Sequence, residues 1–213
     1  MDRLPGLRGP QLPAPAAVPA LTYADRLAAT NLADKQLTAY NYVALRSVGD
    51  QPGRGFARYL STWETLPPST FTAFDKFNIP RFNNNPSTDW YMTNLYTLSN
   101  FSLKVFGFQT ATNIPFPLAT TQPWDNGGYP QIPYIGFDYL GRVVSGQDEF
   151  IPLSKGGIGF AKGSDGRPLL SANGPTAAPS VVEAPLGNTT NSYNVVHIDY
   201  LTGRARSERQ EVR

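Results

Sequence analysis

The sequence predicts an α+β fold in which one N-terminal helix packs on an antiparallel β-sandwich of about seven or eight strands. Three observations carry this expectation. Only one segment, 24–40, has helical composition. The rest is rich in aromatics and turn residues, with 20 Pro and 19 Gly among 213 residues and only 16% charged, which suits short strands between turns better than a helix bundle. Finally, the phrase DYLGR at 138–142 returns as DYLTGR at 199–204. Each copy follows an apolar strand, begins with Asp, carries a Gly that can take φ > 0, and ends with Arg, so each reads as a hairpin tip.

The elements follow in order. Residues 1–21 hold five prolines and no continuous apolar stretch, and are expected to form a disordered or polyproline-like leader. The helix is expected over 22–40, with Thr22 as N-cap, Asp25 in the first turn, and Ala29, Ala33, Leu37 and Tyr40 at helical spacing. From 41 the chain reads as β. Strands are expected at 41–47 and 56–60, hairpinned across GDQPGRG, then at 70–74 and around Leu103, Val105 and Phe106. Two long loops, 75–95 and 110–131, stand as insertions. Strands follow at 133–137, 142–144 and 150–161, the last bent at Gly156–Gly157. Residues 162–191 read as a connection, 193–200 as a strong strand, and 205–212 as a charged edge strand or loose tail. The domain spans 22–206, with the β part at 41–206 and a basic tail at 207–213.

Several chemistries are excluded by composition. Without cysteine there is no disulfide, thiolate nucleophile or Cys-based zinc site. No run reaches the roughly 18 apolar residues of a membrane helix, so no membrane span is expected in the chain as written. The net charge of +2 names no partner, although residues 203–213 carry four Arg against two Glu.

The order of these segments resembles the H-type minor pseudopilins of type II secretion and their relatives among minor type IV pilins. A helix comes first, then NYVALRS at 41–47, WETLP at 63–67, the IGFDYLGR hairpin at 135–142, and an apolar strand ending in T-G-R. The resemblance covers roughly 22–206 and rests on the order of motifs. It implies a non-enzymatic subunit without cofactor. Such a subunit would be associated with the inner membrane, face the periplasm, and assemble with other pseudopilin subunits and a secreted cargo protein. The chain departs from the family at its start. Where the family has a basic leader, a processing site and about twenty apolar residues, this sequence has PGLRGPQLPAPAAVPAL. The expectation is a start that is cut or misread, or a soluble derivative. Only the second half of the family helix is matched.

Within the same family, the minor pilins of DNA uptake hold DNA with a C-terminal G-R-x-R pattern. Gly203, Arg204, Ala205 and Arg206 match it, with Arg209 beyond, so Arg204, Arg206 and Arg209 are DNA-binding candidates in this alternative reading. Trp90, Trp124 and Tyr129 are partner-contact candidates, because two long loops and aromatic rings suit a contact surface as well as a core cap. Trp63 and Tyr59 share that ambiguity. A secreted carbohydrate-binding or viral coat β-sandwich is a third reading and predicts no helix on the sheet.

Catalytic patterns are weak. The single histidine, His197, is expected on one strand face with Asp199, about 7 Å away by strand spacing, and reads as structural. Asp148 and Glu149, being adjacent, should point to opposite faces. GSDGRP at 163–168 is an incomplete calcium loop and reads as a turn, and SKGGIGFAKG lacks a P-loop ending. No metal site is expected.

Overall fold

The computed structural model describes residues 22–45, 57–78, 90–93, 103–123, 128–166, 170–171, 174–175, 179–191 and 194–209. The expected leader at 1–21, Trp124 and residues 210–213 lie outside them.

Helix α1, Tyr23–Ala33, starts where the sequence places it. The Thr22 hydroxyl accepts the Asp25 N–H at 3.1 Å, and the Asp25 carboxylate accepts the Thr22 N–H at 3.1 Å, a reciprocal capping box. Asp25 also accepts the Thr121 hydroxyl at 2.7 Å, which ties the helix start to the 118–121 turn. The helix stops at Ala33, seven residues short of the expected 40. The Gln36 side-chain amide donates to the Ala33 carbonyl at 2.8 Å, and Leu37 turns left-handed at φ 63°. Tertiary pairing overrides helix propensity here. The Leu37 carbonyl accepts the Thr72 N–H, and the Thr38 carbonyl accepts the Leu66 N–H, both at 2.9 Å. Ala33 is buried and Ala29 half-buried, whereas Tyr23 and Leu27 lie exposed on the opposite side.

After α1 come β1 (Ala39–Tyr40), β2 (Val43–Ala44), β3 (Arg58–Tyr59), β4 (Glu64–Thr65) and β5 (Thr70–Thr72). The expected early hairpin is present as β2 against β3, while β1 pairs with β4. The expected loop 75–95 is corrected. It opens with a one-turn helix, α2 (Asp75–Asn78), and contains β6 (Trp90–Thr93), which pairs with β7 (Leu103–Phe106). The second loop is shorter than expected, because β8 (Gln109–Ala111) pairs with β9 (Ile132–Tyr134).

The long strand β10, Glu149–Gly159, organises the rest. The expected connection at 162–191 contains β11 (Leu170–Ser171), β12 (Gly174–Pro175), β13 (Ser180–Glu183) and the one-turn helix α3 (Asn188–Asn191). β14 (Asn194–Ile198) and β15 (Ala205–Arg209) follow. The charged end is therefore strand through Arg209, with Ser207 opposite Val196 and Arg209 opposite Asn194, and not a tail from 207. β13, β14 and β5 are all antiparallel to β10, and β15 extends the sheet from β14. Between β13 and β14 the Asn188 side chain bridges the gap, donating to the Lys155 carbonyl at 2.6 Å and accepting the Lys155 N–H at 3.0 Å. The expected bend is real: Gly156 sits at φ 149°, and a Cβ there would collide with the Val182 carbonyl.

The architecture is thus α+β with antiparallel sheets, but it is one five-stranded sheet and five two-stranded ribbons among the described residues. Phe71, Ala73, Val105, Phe106, Val195 and Ile198 form the core. Within it Lys76 is fully buried. Its ammonium group donates to the Glu149 carboxylate at 2.9 Å and to the Phe106 carbonyl at 2.5 Å, and lies 4.9 Å from the Phe108 ring centre.

Candidate functional site

The two repeated phrases meet in space. In the first tip the Gly141 N–H donates to the Asp138 carbonyl at 3.0 Å, and Gly141 takes φ +80°. The Asp138 carboxylate accepts the N–H groups of Leu140 and Arg142 and the Arg142 guanidinium, each at 2.9 Å. These bonds outweigh the opposing desolvation and hold the Asp138 carboxyl below its ordinary range. The second tip is one residue longer. The Gly203 N–H reaches the Asp199 carbonyl at 2.8 Å, with Gly203 at φ +61°. The extra residue, Thr202, supplies its hydroxyl at 2.7 Å and its N–H at 2.8 Å to Asp199, and these bonds lower the Asp199 pKa.

Gly203 faces the Gly141 carbonyl so closely that a Cβ would overlap it, with the Phe137 ring next nearest. The Val143 N–H donates to the Tyr200 carbonyl at 2.9 Å, which joins the return of one hairpin to the tip of the other. Around this seam Phe137, Leu140, Val144, Tyr200 and Leu201 are exposed, and Tyr139 is 91% exposed. The sequence foresees each tip but not their contact, because a strand pattern says nothing about which turns become neighbours.

Behind the seam lies His197. Asp199 lies within electrostatic reach of the ring as expected, but its carboxylate is hydrogen-bonded to Thr202. The partners of His197 are instead Asp148, 3.0 Å from Nε2, and Glu208, 2.8 Å from Nδ1. Phe150 stacks on the imidazole with ring centres 4.4 Å apart. Asp148 also accepts the Tyr200 N–H at 3.0 Å, which links the histidine to the second tip. Burial disfavours the charged form of Glu208, yet its bonds to His197 and Arg206 win and lower its pKa. As expected, Asp148 and Glu149 diverge, one to His197 and the other to Lys76. The Asp148 and Glu208 carboxylates meet the two different ring nitrogens of His197. No cluster able to hold a metal ion occurs among the described residues.

The arginine candidates separate. Arg204 and Arg206 share a face by strand alternation, and Arg209 falls on the other. Arg206 is bound to Glu208 at 2.7 Å. Arg204 is exposed, and its guanidinium has no bonded partner among the described residues. Trp90 stands in β6 opposite Phe106 in the register. Tyr129 is half-buried, and its N–H donates to the Thr112 carbonyl at 2.9 Å. Trp63 and Tyr59 are structural. The indole donates to the Pro117 carbonyl at 3.2 Å, and the phenol donates to the Pro115 carbonyl at 2.5 Å. Burial pushes the Tyr59 pKa up to about 12.

No family model, characterised protein or solved structure matches the chain. No helix among the described residues is long and apolar enough to cross a membrane.

Proposed function

We propose that the chain is a structural assembly subunit, an H-like minor pseudopilin whose antiparallel domain joins other pilin-type subunits in a periplasmic pseudopilus serving protein export. The observation that carries this reading is the fusion of the two repeated tips into one rigid, exposed apolar end. Aromatic and aliphatic side chains held by saturated turns suit a contact surface better than a reaction centre. The motif order supports it, as do Tyr23 and Leu27, exposed one helical turn apart on α1. In this reading the fine architecture is pilin-like, with α1 corresponding to the second half of an assembly helix and the sheets as a sandwich.

The cysteine-free chain makes the test clean. Leu27→Cys, expressed in the native host and treated with a maleimide–succinimidyl ester reagent that joins its thiol to a partner's lysine amine, should cross-link to other pilin-type subunits, and deletion of the gene should reduce protein secretion. Absence of both effects refutes the reading.

A second reading, a DNA-binding minor pilin of DNA uptake, rests on Arg204, whose donors are uncommitted among the described residues. It predicts a salt-dependent mobility shift with duplex DNA that disappears in Arg204→Ala/Arg206→Ala. A shift that survives the double substitution removes this reading.

A further inference from the structure

We infer that the paired tips are a docking surface for an apolar protein segment bearing carboxylates, supplied by a partner subunit. The inference deepens the assembly reading and rests on it for the partner being another subunit.

Charge complementarity selects the occupant. The centre of the surface is apolar, formed by Phe137, Tyr139, Leu140 and Leu201. Its two acids are consumed internally: Asp138 is saturated by its own turn and by Arg142, and Asp199 by Thr202. At the rim stands Arg204, exposed and without a bonded partner among the described residues. Arg142 stands there too, its guanidinium half-exposed although paired with Asp138. Among the described residues the surface therefore offers apolar area and the donors of Arg204 and Arg142, while the carboxylates of its tips are already hydrogen-bonded. A carboxylate beside an apolar side chain satisfies both features, and an Arg rim around an aromatic centre is the usual composition of a protein contact.

A phosphate backbone fits less well. It would leave the exposed Phe137, Tyr139, Leu140 and Leu201 without an apolar partner, and Glu208 already holds Arg206. The seam is preorganised, since both tips are closed by their own hydrogen bonds and are braced by the Val143–Tyr200 bond and by Asp148. Little ordering entropy is then lost on docking.

The test is a titration of the full isotope-labelled chain, read by amide chemical shifts. One probe is a synthetic peptide in which Leu and Phe alternate with Glu, and the other carries Lys in place of Glu. The Glu peptide should perturb amides at 137–144 and 200–204. Its affinity should fall about tenfold in Tyr139→Ser/Leu140→Ser and about fivefold in Arg204→Gln, the range for anchor residues at interfaces. These residues are exposed, so the variants fold. Equal binding of the Lys peptide, shifts elsewhere or none, or unchanged affinity in the variants overturns the inference. Duplex DNA that perturbs the same amides more strongly than the Glu peptide also overturns it. Peptide docking at the tips without Leu27→Cys cross-links would leave the inference standing and remove the assembly reading. Cross-links without docking would do the reverse.

Discussion

Substituting each tip glycine by alanine isolates the contact between the repeated phrases. Both glycines have left-handed backbone, at φ +80° for Gly141 and +61° for Gly203. Alanine there costs about 1–2 kcal/mol, offset by about 0.4–1 kcal/mol because the unfolded chain loses freedom. Nothing lies within 4 Å of a Cβ at position 141, so Gly141→Ala should cost only that difference, about 1 kcal/mol. At position 203 the Cβ overlaps the Gly141 carbonyl and presses on Phe137. Relieving that clash forces the tips apart, and overpacking of this kind adds about 1–3 kcal/mol. Gly203→Ala should therefore be less stable than Gly141→Ala by about 2 kcal/mol. With a urea slope near 2 kcal/mol/M, the midpoints should differ by about 1 M. Urea unfolding followed by tryptophan fluorescence measures this directly. Midpoints that coincide would show that the two tips do not pack against each other.

Other perturbations probe the core, the acids and the helix. Lys76→Met leaves the Glu149 carboxylate buried without its ammonium partner and should cost about 3–5 kcal/mol. Adding Glu149→Leu should restore much of the loss in the same urea assay. Asp138, Asp199 and Glu208 all have lowered pKa values. Their stabilisation is complete above the ordinary carboxylate range and is lost as pH falls through the lowered values. Thermal melts should therefore be insensitive to these groups from neutral pH down to about 4.5, then fall, and the Asp199→Asn variant should lose less on acidification. Asp25→Ala removes half of the capping box and the bond to Thr121. It should destabilise α1 by about 1 kcal/mol, speeding hydrogen exchange at 23–33 while the amides of β14 keep their protection.

Much of this framework was legible in the residues. Thr22 and Asp25 announce the helix start by chemistry local to four residues. Asp–Gly–Arg phrases announce hairpin tips, and the Gly156 bend is written in a backbone angle few other residues take. What stayed hidden depends on distant partners. The helix end at Ala33 is set by Leu66 and Thr72, far along the chain, and so propensity alone overran it. Lys76 looks like an ordinary surface lysine until Glu149 and the Phe106 carbonyl surround it. β6 and β13 lie in stretches dominated by turn residues, where pairing with β7 and β10 decides the conformation. The histidine site was missed for the same reason. Asp199 is near in sequence, whereas Asp148 and Glu208 arrive from the neighbouring strands.

The dependence of three strands on β10 also governs how the chain is made. Thr70–Thr72 emerge early, but their partners at Leu153–Lys155 are synthesised roughly eighty residues later, so that edge stays open throughout the interval. β14 and β15 join the sheet only after Arg209 has been synthesised. A nascent chain halted before Asn194 would leave Glu149–Leu153 of β10 without their β14 partner, the state most prone to aggregate. Release of the chain before β14 would thus produce insoluble protein, and coexpressed chaperones should be needed until the ribosome has delivered the β14–β15 hairpin.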